Sequence, residues 1–272
     1  MQAPPEKLLQ AGEAAPVNVE QATGDSPFVL TCDHAGTRLP RRLGNLGLSA
    51  AQLRRHIAWD IGAGDLAEAL RLRLGATLVS QTYSRLVIDC NRPPQVAASI
   101  PVISENTAIP GNQGITAVDA EMRRREIFDP YHDAIRRQLD RRQQAGLDSV
   151  LVSVHSFTPV FKGLSRPWHI GILFNRHRAL ADRLLGLLAE ARELKVAENR
   201  PYSVSDDTDY TIPVHGERRG IAHVMLEIRN DLIVESAGQL EWAERLADLL
   251  PRAHVALRAS GATPAASMSP EQ

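Results

Sequence analysis

Ser149-Val150-Leu151-Val152-Ser153-Val154-His155-Ser156 is the stretch on which the fold turns. Its apolar residues run almost without interruption and stop at a histidine. A strand with one buried face alternates apolar and polar residues. A near-continuous run belongs to a strand covered on both faces, as in the mostly parallel sheets of α/β proteins. Pro27-Phe28-Val29-Leu30-Thr31-Cys32-Asp33-His34 repeats the pattern, apolar run first and histidine last.

Strand and helix patterns alternate outward from these two segments. Helical spacing covers 49–73, with Leu66, Leu70 and Leu74 on one face. Short strands are expected at 76–80 and 86–90. A long helical region spans 118–145, its apolar side formed by Met122, Ile127, Tyr131, Ile135 and Leu139. Pro130 lies inside it and is expected to kink or restart it, since its ring blocks a helical hydrogen bond. Further strands are expected at 170–174 and 222–228, and amphipathic helices at 180–194 and 240–257. The alternation predicts a three-layer α/β/α domain with a mixed, mostly parallel sheet. Residues 1–26 read as a loose N-terminal arm, 27–260 as a single domain, and 261–272 as a disordered tail.

Composition narrows the function classes. The 272 residues carry a net charge of −1, so no bulk field draws the chain to nucleic acid or an anionic membrane. Two cysteines, Cys32 and Cys90, are too few for a disulfide framework and point to a cytoplasmic protein. Both read as small buried hydrophobes. No run approaches a transmembrane span, and the N-terminus lacks a signal-peptide pattern. Dinucleotide fingerprints, phosphate-binding loops and the Gly-x-Ser-x-Gly nucleophile elbow are absent.

The chemistry-bearing residues cluster at the strand ends. Ligands of open α/β sheets sit outside the carboxyl ends of the strands, where His34 and His155 emerge. Two imidazoles delivered there suit a divalent metal, with a carboxylate as the usual third ligand. Asp60 and Asp33 are the candidates. Asp60 equally reads as a helix cap. Small residues after His34, including Gly36, allow close backbone approach. Glu227, in the apolar strand Val224-Met225-Leu226-Glu227-Ile228, needs a partner or a raised pKa, as a general base for water does. Arg229 follows and could orient it or hold substrate. In Ser84-Arg85-Leu86-Val87-Ile88-Asp89-Cys90-Asn91-Arg92-Pro93, Arg85 and Arg92 could each grip a substrate carboxylate, with Asp89 fixing one of them. Ser104-Glu105-Asn106-Thr107 is a candidate pocket loop. His215 could stabilise an oxyanion. His56, His132, His177 and His254 read as solvated, and His169 and His223 as core.

Taken together, several phrases resemble the N-formylglutamate amidohydrolase family. They are Cys32-Asp33-His34-Ala35-Gly36, His56-Ile57-Ala58-Trp59-Asp60, the 84–94 segment, Ser104-Glu105-Asn106-Thr107, Val154-His155-Ser156-Phe157-Thr158-Pro159 and Glu227-Ile228-Arg229-Asn230-Asp231. The resemblance runs from about residue 28 to about residue 250. It implies a zinc-peptidase-like fold, of the zinc-carboxypeptidase and phosphorylase/hydrolase kind, and hydrolysis of an N-acyl amino acid. The order is also similar to that of zinc carboxypeptidases and aspartoacylases. By that likeness His34 opens the site, Asn91 and Arg92 hold a substrate carboxylate, His155 with Ser156 follows, and Glu227 is the base. Those enzymes place an acid three residues after the first histidine; here that residue is Thr37, so Asp60 is the expected acidic ligand of a single Zn²⁺.

The expected activity is metal-dependent amide hydrolysis of an N-acyl amino acid such as N-formylglutamate. The alternatives are hydrolysis of another small amide or a carboxy-terminal peptide bond, and a catalytically silent carboxylate-binding protein.

Overall fold

In the computed structural model of the protein, residues 7–260 are described. The chain order is β1 (Val17–Glu20), β2 (Phe28–Cys32), α1 (Ala50–Leu53), α2 (Ala63–Leu74) and β3 (Thr77–Gln81). Then come the hairpin β4 (Ile103–Ser104) and β5 (Thr107–Ala108), α3 (Ala117–Arg123), α4 (Asp129–Gln144) and β6 (Val150–Phe157). A second hairpin, β7 (Val160–Phe161) and β8 (Leu164–Ser165), precedes β9 (Ile170–Leu173), α5 (Ala179–Leu188), β10 (Val196–Glu198), β11 (Ala222–Arg229) and α6 (Ser236–Ala259).

One seven-stranded sheet, in the order β1-β3-β2-β6-β11-β9-β10, carries the domain. Strands β3, β2, β6 and β11 run parallel to one another, and β10 runs parallel to β9. Only β1 on β3 and β9 on β11 are antiparallel. Strand β6 is buried along its whole length, as its near-continuous apolar run requires. Its even-numbered residues Val150, Val152 and Val154 join Leu66, Leu70, Leu184, Leu246 and Leu250 in a core under α2, α5 and α6. Leu151 points the other way, into a second core with Val29, Met225 and the α4 residues Tyr131, Ile135 and Leu139. The three-layer expectation is met.

Two local expectations are corrected. The supposed loose arm supplies β1, whose Val17 and Val19 pack against the second core. Leu8 is buried as well, and the Leu8 and Leu9 backbone N–H groups both donate to Glu126 at 3.0 Å. Residues 1–6, and 261–272 expected as a disordered tail, lie outside the described residues. Segment 86–90 forms turns rather than a strand, because its apolar residues serve different cores: Leu86 enters a small cluster with Leu46 and Ile109, while Val87 and Ile88 join the α4 side. The restart at Pro130 is observed, with a π-helical turn over 124–128 leading into α4 at Asp129.

Candidate functional site

Parallel pairing of β6 with β11 puts His155 directly beside Glu227 in register. Both strands deliver these residues on the α4 face, near the carboxyl ends. His34 arrives from the end of β2, and Asp60 from the turn before α2. The Asp60 side chain does not cap α2: the cap position is Gly62, with φ of 77°. A Cβ there would lie 2.1 Å from the Ile233 carbonyl oxygen, so only glycine allows this entry to the helix. Gly36 likewise lies where a Cβ would come within 2.3 Å of the Thr82 backbone, the close approach expected of the His34 loop.

Three ligand atoms converge. Asp60 Oδ2 lies 3.2 Å from His34 Nδ1 and 3.0 Å from His155 Nδ1, and the two Nδ1 atoms are 3.2 Å apart. The opposite ring nitrogens face carboxylates, His34 Nε2 at 2.7 Å from Asp89 and His155 Nε2 at 2.9 Å from Asp33. Each imidazole can therefore donate from Nε2 and present Nδ1 to the centre, the carboxylate–histidine arrangement that orients metal ligands. Asp33 is itself anchored by hydroxyl donors from Tyr131, Thr211 and Ser153, at 2.8, 2.7 and 3.1 Å. Asp60 Oδ1 accepts from Arg85, and Oδ2 also receives the Ser156 N–H at 3.3 Å.

The electrostatics follow from this arrangement. Burial would raise the Asp60 and Asp33 carboxyl pKa values, yet the neighbouring imidazoles outweigh it and hold both far below the usual range. Arg85 and His34 do the same for Asp89 against its burial. Burial would also strip the proton from His155, but Asp33 and Asp60 push its pKa well above the ordinary value; Asp89 and Asp60 raise that of His34 against its burial and the Arg85 charge. Three buried carboxylates against one guanidinium leave a deficit of two positive charges. Two imidazolium protons, or one divalent cation, supply it. A tetrahedral ion with bonds of about 2.0–2.1 Å spaces its ligand atoms about 3.3 Å apart. The observed spacings of 3.0–3.2 Å fit such an ion.

Glu227 is 5 % exposed, and its Oε2 has no hydrogen-bond partner. Burial pushes its carboxyl up to about 7, with Asp60 adding to the shift and His155 opposing it. It faces a cavity of about 500 Å³ shared with His34, Asp60, His155, Arg85, Arg92 and His56. The hairpins contribute Ser104, Glu105 and Phe161 to its wall, and the 202–209 loop adds Tyr202, Thr208 and Asp209.

Several expected roles change. Arg85 does reach the cavity but is committed to Asp60 at 3.1 Å and Asp89 at 2.6 Å, so it balances charge rather than gripping substrate. Asn91 donates to Asp209 at 3.1 Å and accepts the Tyr210 and Thr211 N–H groups at 3.2 and 3.1 Å, so it positions the far wall. Ser156 Oγ donates to the Ile61 carbonyl at 2.8 Å and fixes the Asp60 turn. Arg229 turns outward to Asp231 and the Pro167 carbonyl, outside the cavity lining. Arg92 retains the expected position; its bond to the Thr208 carbonyl leaves it at the cavity rim. His56, expected in solvent, lines the cavity instead. Neither the orienting role of Asp33 nor the His34 contact of Asp89 is among the expectations drawn from the sequence.

His215 is also displaced from its expected role. It lies in a π-helical turn over 212–217, outside the cavity lining, with Nε2 3.0 Å from Nδ1 of His132 and the two rings stacked. Nε2 of His132 faces the Cys90 carbonyl at 2.8 Å, so His132, expected in solvent, is a buried neutral imidazole; His254, also expected in solvent, is buried too. Burial pushes the His132 pKa down to about 4. The unfolded imidazole takes its proton near pH 6.5, so acidification from about 6.5 to 4 removes up to about 3 kcal/mol of stability. His132→Gln lacks this loss. The stability gap between wild type and variant, measured by urea unfolding, is expected to narrow from pH 7 to pH 4.5; a constant gap contradicts a buried neutral ring.

A layered sheet with an acid–imidazole cluster at the carboxyl ends of its strands defines a hydrolase of the three-layer α/β class. The chain belongs to the N-formylglutamate amidohydrolase family, whose model matches residues 26–234. It is 29% identical over 243 residues to an N-formylglutamate deformylase of Pseudomonas putida, covering 82% of this chain and 88% of that one. The crystal structure of gene product Atu2144 from Agrobacterium tumefaciens superposes with a TM-score of 0.89 at 39% identity, covering 93% of this chain and 100% of that one. An N-formylglutamate amidohydrolase structure from Ralstonia eutropha JMP134 shares the fold, with a TM-score of 0.65 at 20% identity over 90% of this chain and 100% of that one. Among the described residues, no helix is long and apolar enough to cross a membrane.

Proposed function

We propose that the protein hydrolyses the amide bond of an N-acyl amino acid, with N-formylglutamate as the leading substrate, giving formate and glutamate. The observation that carries this reading is Glu227: a buried, unpartnered carboxylate in register with His155 and facing the His34–Asp60–His155 cluster. The family membership and the deformylase relative support the choice of substrate.

His34, Asp60 and His155 would hold the divalent ion, zinc by its suitability for two imidazoles and a carboxylate. When bound, such an ion polarises the scissile carbonyl and lowers the pKa of water. Glu227 Oε2 takes the proton of the attacking water and returns it to the leaving amine nitrogen. Asp33 and Asp89 hold the two imidazoles in the orientation that leaves Nδ1 free. Arg92, at the rim, takes a substrate carboxylate.

The direct test is formate release from N-formylglutamate, beside a panel of other N-acyl amino acids, before and after chelation. Activity that needs a divalent ion and favours N-formylglutamate supports the reading. Full activity of the chelated protein sinks the metal assignment. No turnover of any acyl amino acid by metal-replete protein sinks the function.

Arg92→Ala separates binding from chemistry. Loss of one exposed carboxylate contact is expected to raise KM about 10-fold or more with kcat little changed. An unchanged KM removes Arg92 from the substrate site.

A further inference from the structure

A second group of metal-type ligands lies away from the cavity. One ring nitrogen each of His177 and His223 and a carboxylate oxygen of Glu217 fall within 4.8 Å of one another. His177 sits in the loop between β9 and α5, Glu217 in the π-helical turn over 212–217, and His223 at the start of β11. Glu227 lies four residues further along β11, about 13 Å away at the rise of a strand. The group therefore belongs to the opposite end of the sheet.

The tautomer of His223 is set by its neighbour. Nδ1 lies 2.8 Å from the Ile221 carbonyl, which can only accept, so Nδ1 carries the proton and Nε2 presents a lone pair. His223 is 2 % exposed, and that Nε2 has no partner; it lies 3.8 Å from Glu217 Oε1, beyond hydrogen-bond distance. Nδ1 of His177 is likewise buried without a partner. Two orphaned imidazole nitrogens beside one carboxylate are costly as they stand. Glu217 is held in place by the N–H groups of Arg176 and His177 at 2.7 and 3.1 Å, by Asn175 at 3.1 Å and by the Arg176 guanidinium at 2.6 Å. Its carboxylate is thus fixed by the 175–177 segment at hydrogen-bond distance, with the His223 ring 3.8 Å from Oε1 adding an electrostatic attraction.

We infer that His177, Glu217 and His223 form a second divalent-cation site, suited to Zn²⁺, that ties the β9–α5 loop and the π-helical turn to β11. Two imidazoles and one carboxylate are a borderline donor set that favours zinc over calcium or magnesium. With none of its ligands in the cavity, the site is structural.

The test titrates metal-stripped full-length protein with Zn²⁺ by calorimetry, comparing wild type with His177→Ala, a change in a half-buried loop residue. Two equivalents for wild type and one for His177→Ala are expected. Zn²⁺ should also raise the Tm of wild type by several degrees more than that of the variant, and zinc-loaded His177→Ala should keep wild-type turnover. One equivalent for both proteins overturns this site and leaves the proposed catalytic metal standing. One for wild type and none for the variant keeps this site and removes the catalytic one. Equal counts of two place the second ion elsewhere and overturn the inference, as does failure of wild type to bind any. An anomalous-difference map at the zinc edge, with its peak beside His223 Nε2 or not, decides the same question independently of stoichiometry.

Discussion

Replacing Glu227 by Gln is expected to lower kcat by about three orders of magnitude while leaving metal content unchanged. Proton transfer by a positioned base is worth about 10² to 10⁴-fold, and Gln keeps the shape of Glu without the basicity. The cause is specific to this position. Glu227 Oε2 has no other partner to serve, so the substitution breaks no structural hydrogen bond at that atom. Stability should move the opposite way. Burial raises this carboxyl from its ordinary value of 4.5 to about 7. Its protonated form is therefore favoured in the folded chain, and stability is lost as pH rises from about 4.5 through 7. In metal-stripped protein at pH 8, Glu227→Gln is expected to be more stable than wild type by up to about 3 kcal/mol, and by much less at pH 4.5. Turnover at the wild-type rate rejects the base. A variant less stable than wild type at pH 8 rejects the account of its burial.

The second large effect is expected at Asp33, which touches no cavity space. Asp33→Ala should destabilise the fold by about 3–5 kcal/mol, because it strands a cluster of buried donors at once. Tyr131 and Thr211 lose their acceptor at Oδ1, and Ser153 and His155 lose theirs at Oδ2. These groups come from α4, the segment before β11 and strand β6, so one carboxylate joins three parts of the chain. A loss of this size lowers the Tm of a protein this long by about 10 °C. His155 would also lose the partner that orients its ring, and zinc affinity should fall about 10- to 100-fold. Urea unfolding and competition for zinc with a chromogenic chelator read the two effects separately. A variant within about 1 kcal/mol of wild type shows that the four donors find other acceptors.

Much of this architecture is legible in the chain itself, for definite reasons. The near-continuous run at 150–154 demands cover on both faces, and the two cores on either side of β6 provide it. Its terminal histidine, and that of β2, are legible as a pair because strand ends of a parallel sheet share one edge. Asp60 is ambiguous in sequence between capping and ligation, and the cap position falls instead to Gly62. The pairing of Asp89 with a neighbouring arginine, Arg85, is read from their spacing, but the hold of Asp33 and Asp89 on the two imidazoles escapes, because it rests on contacts across 122 and 55 residues, which no local spacing encodes. Arg85 reads correctly as a carboxylate binder, but its carboxylates are the protein's own. His132 is misplaced by sequence because charged neighbours such as Asp133 suggest solvent, and His215 because a loop histidine reads as free to face an oxyanion, whereas the two imidazoles turn inward against each other. Strand β1 fails to register because Val17-Asn18-Val19-Glu20 is short and sits among polar residues, although its alternation is that of an edge strand.

The division of labour between sheet and hairpins has a consequence for how such an enzyme can diversify. The groups proposed to break the bond hang from the central strands or just beyond them, where a shift of backbone would disturb both cores. The walls holding Glu105 and Phe161 are the tips of two small hairpins that lie outside the two main cores, and Ile103 at the base of one and Leu164 in the other are largely exposed. Exchanging those tips between relatives should retune which acyl amino acid is accepted while leaving the reaction itself intact, so selectivity in this scaffold can be transplanted as two short peptides.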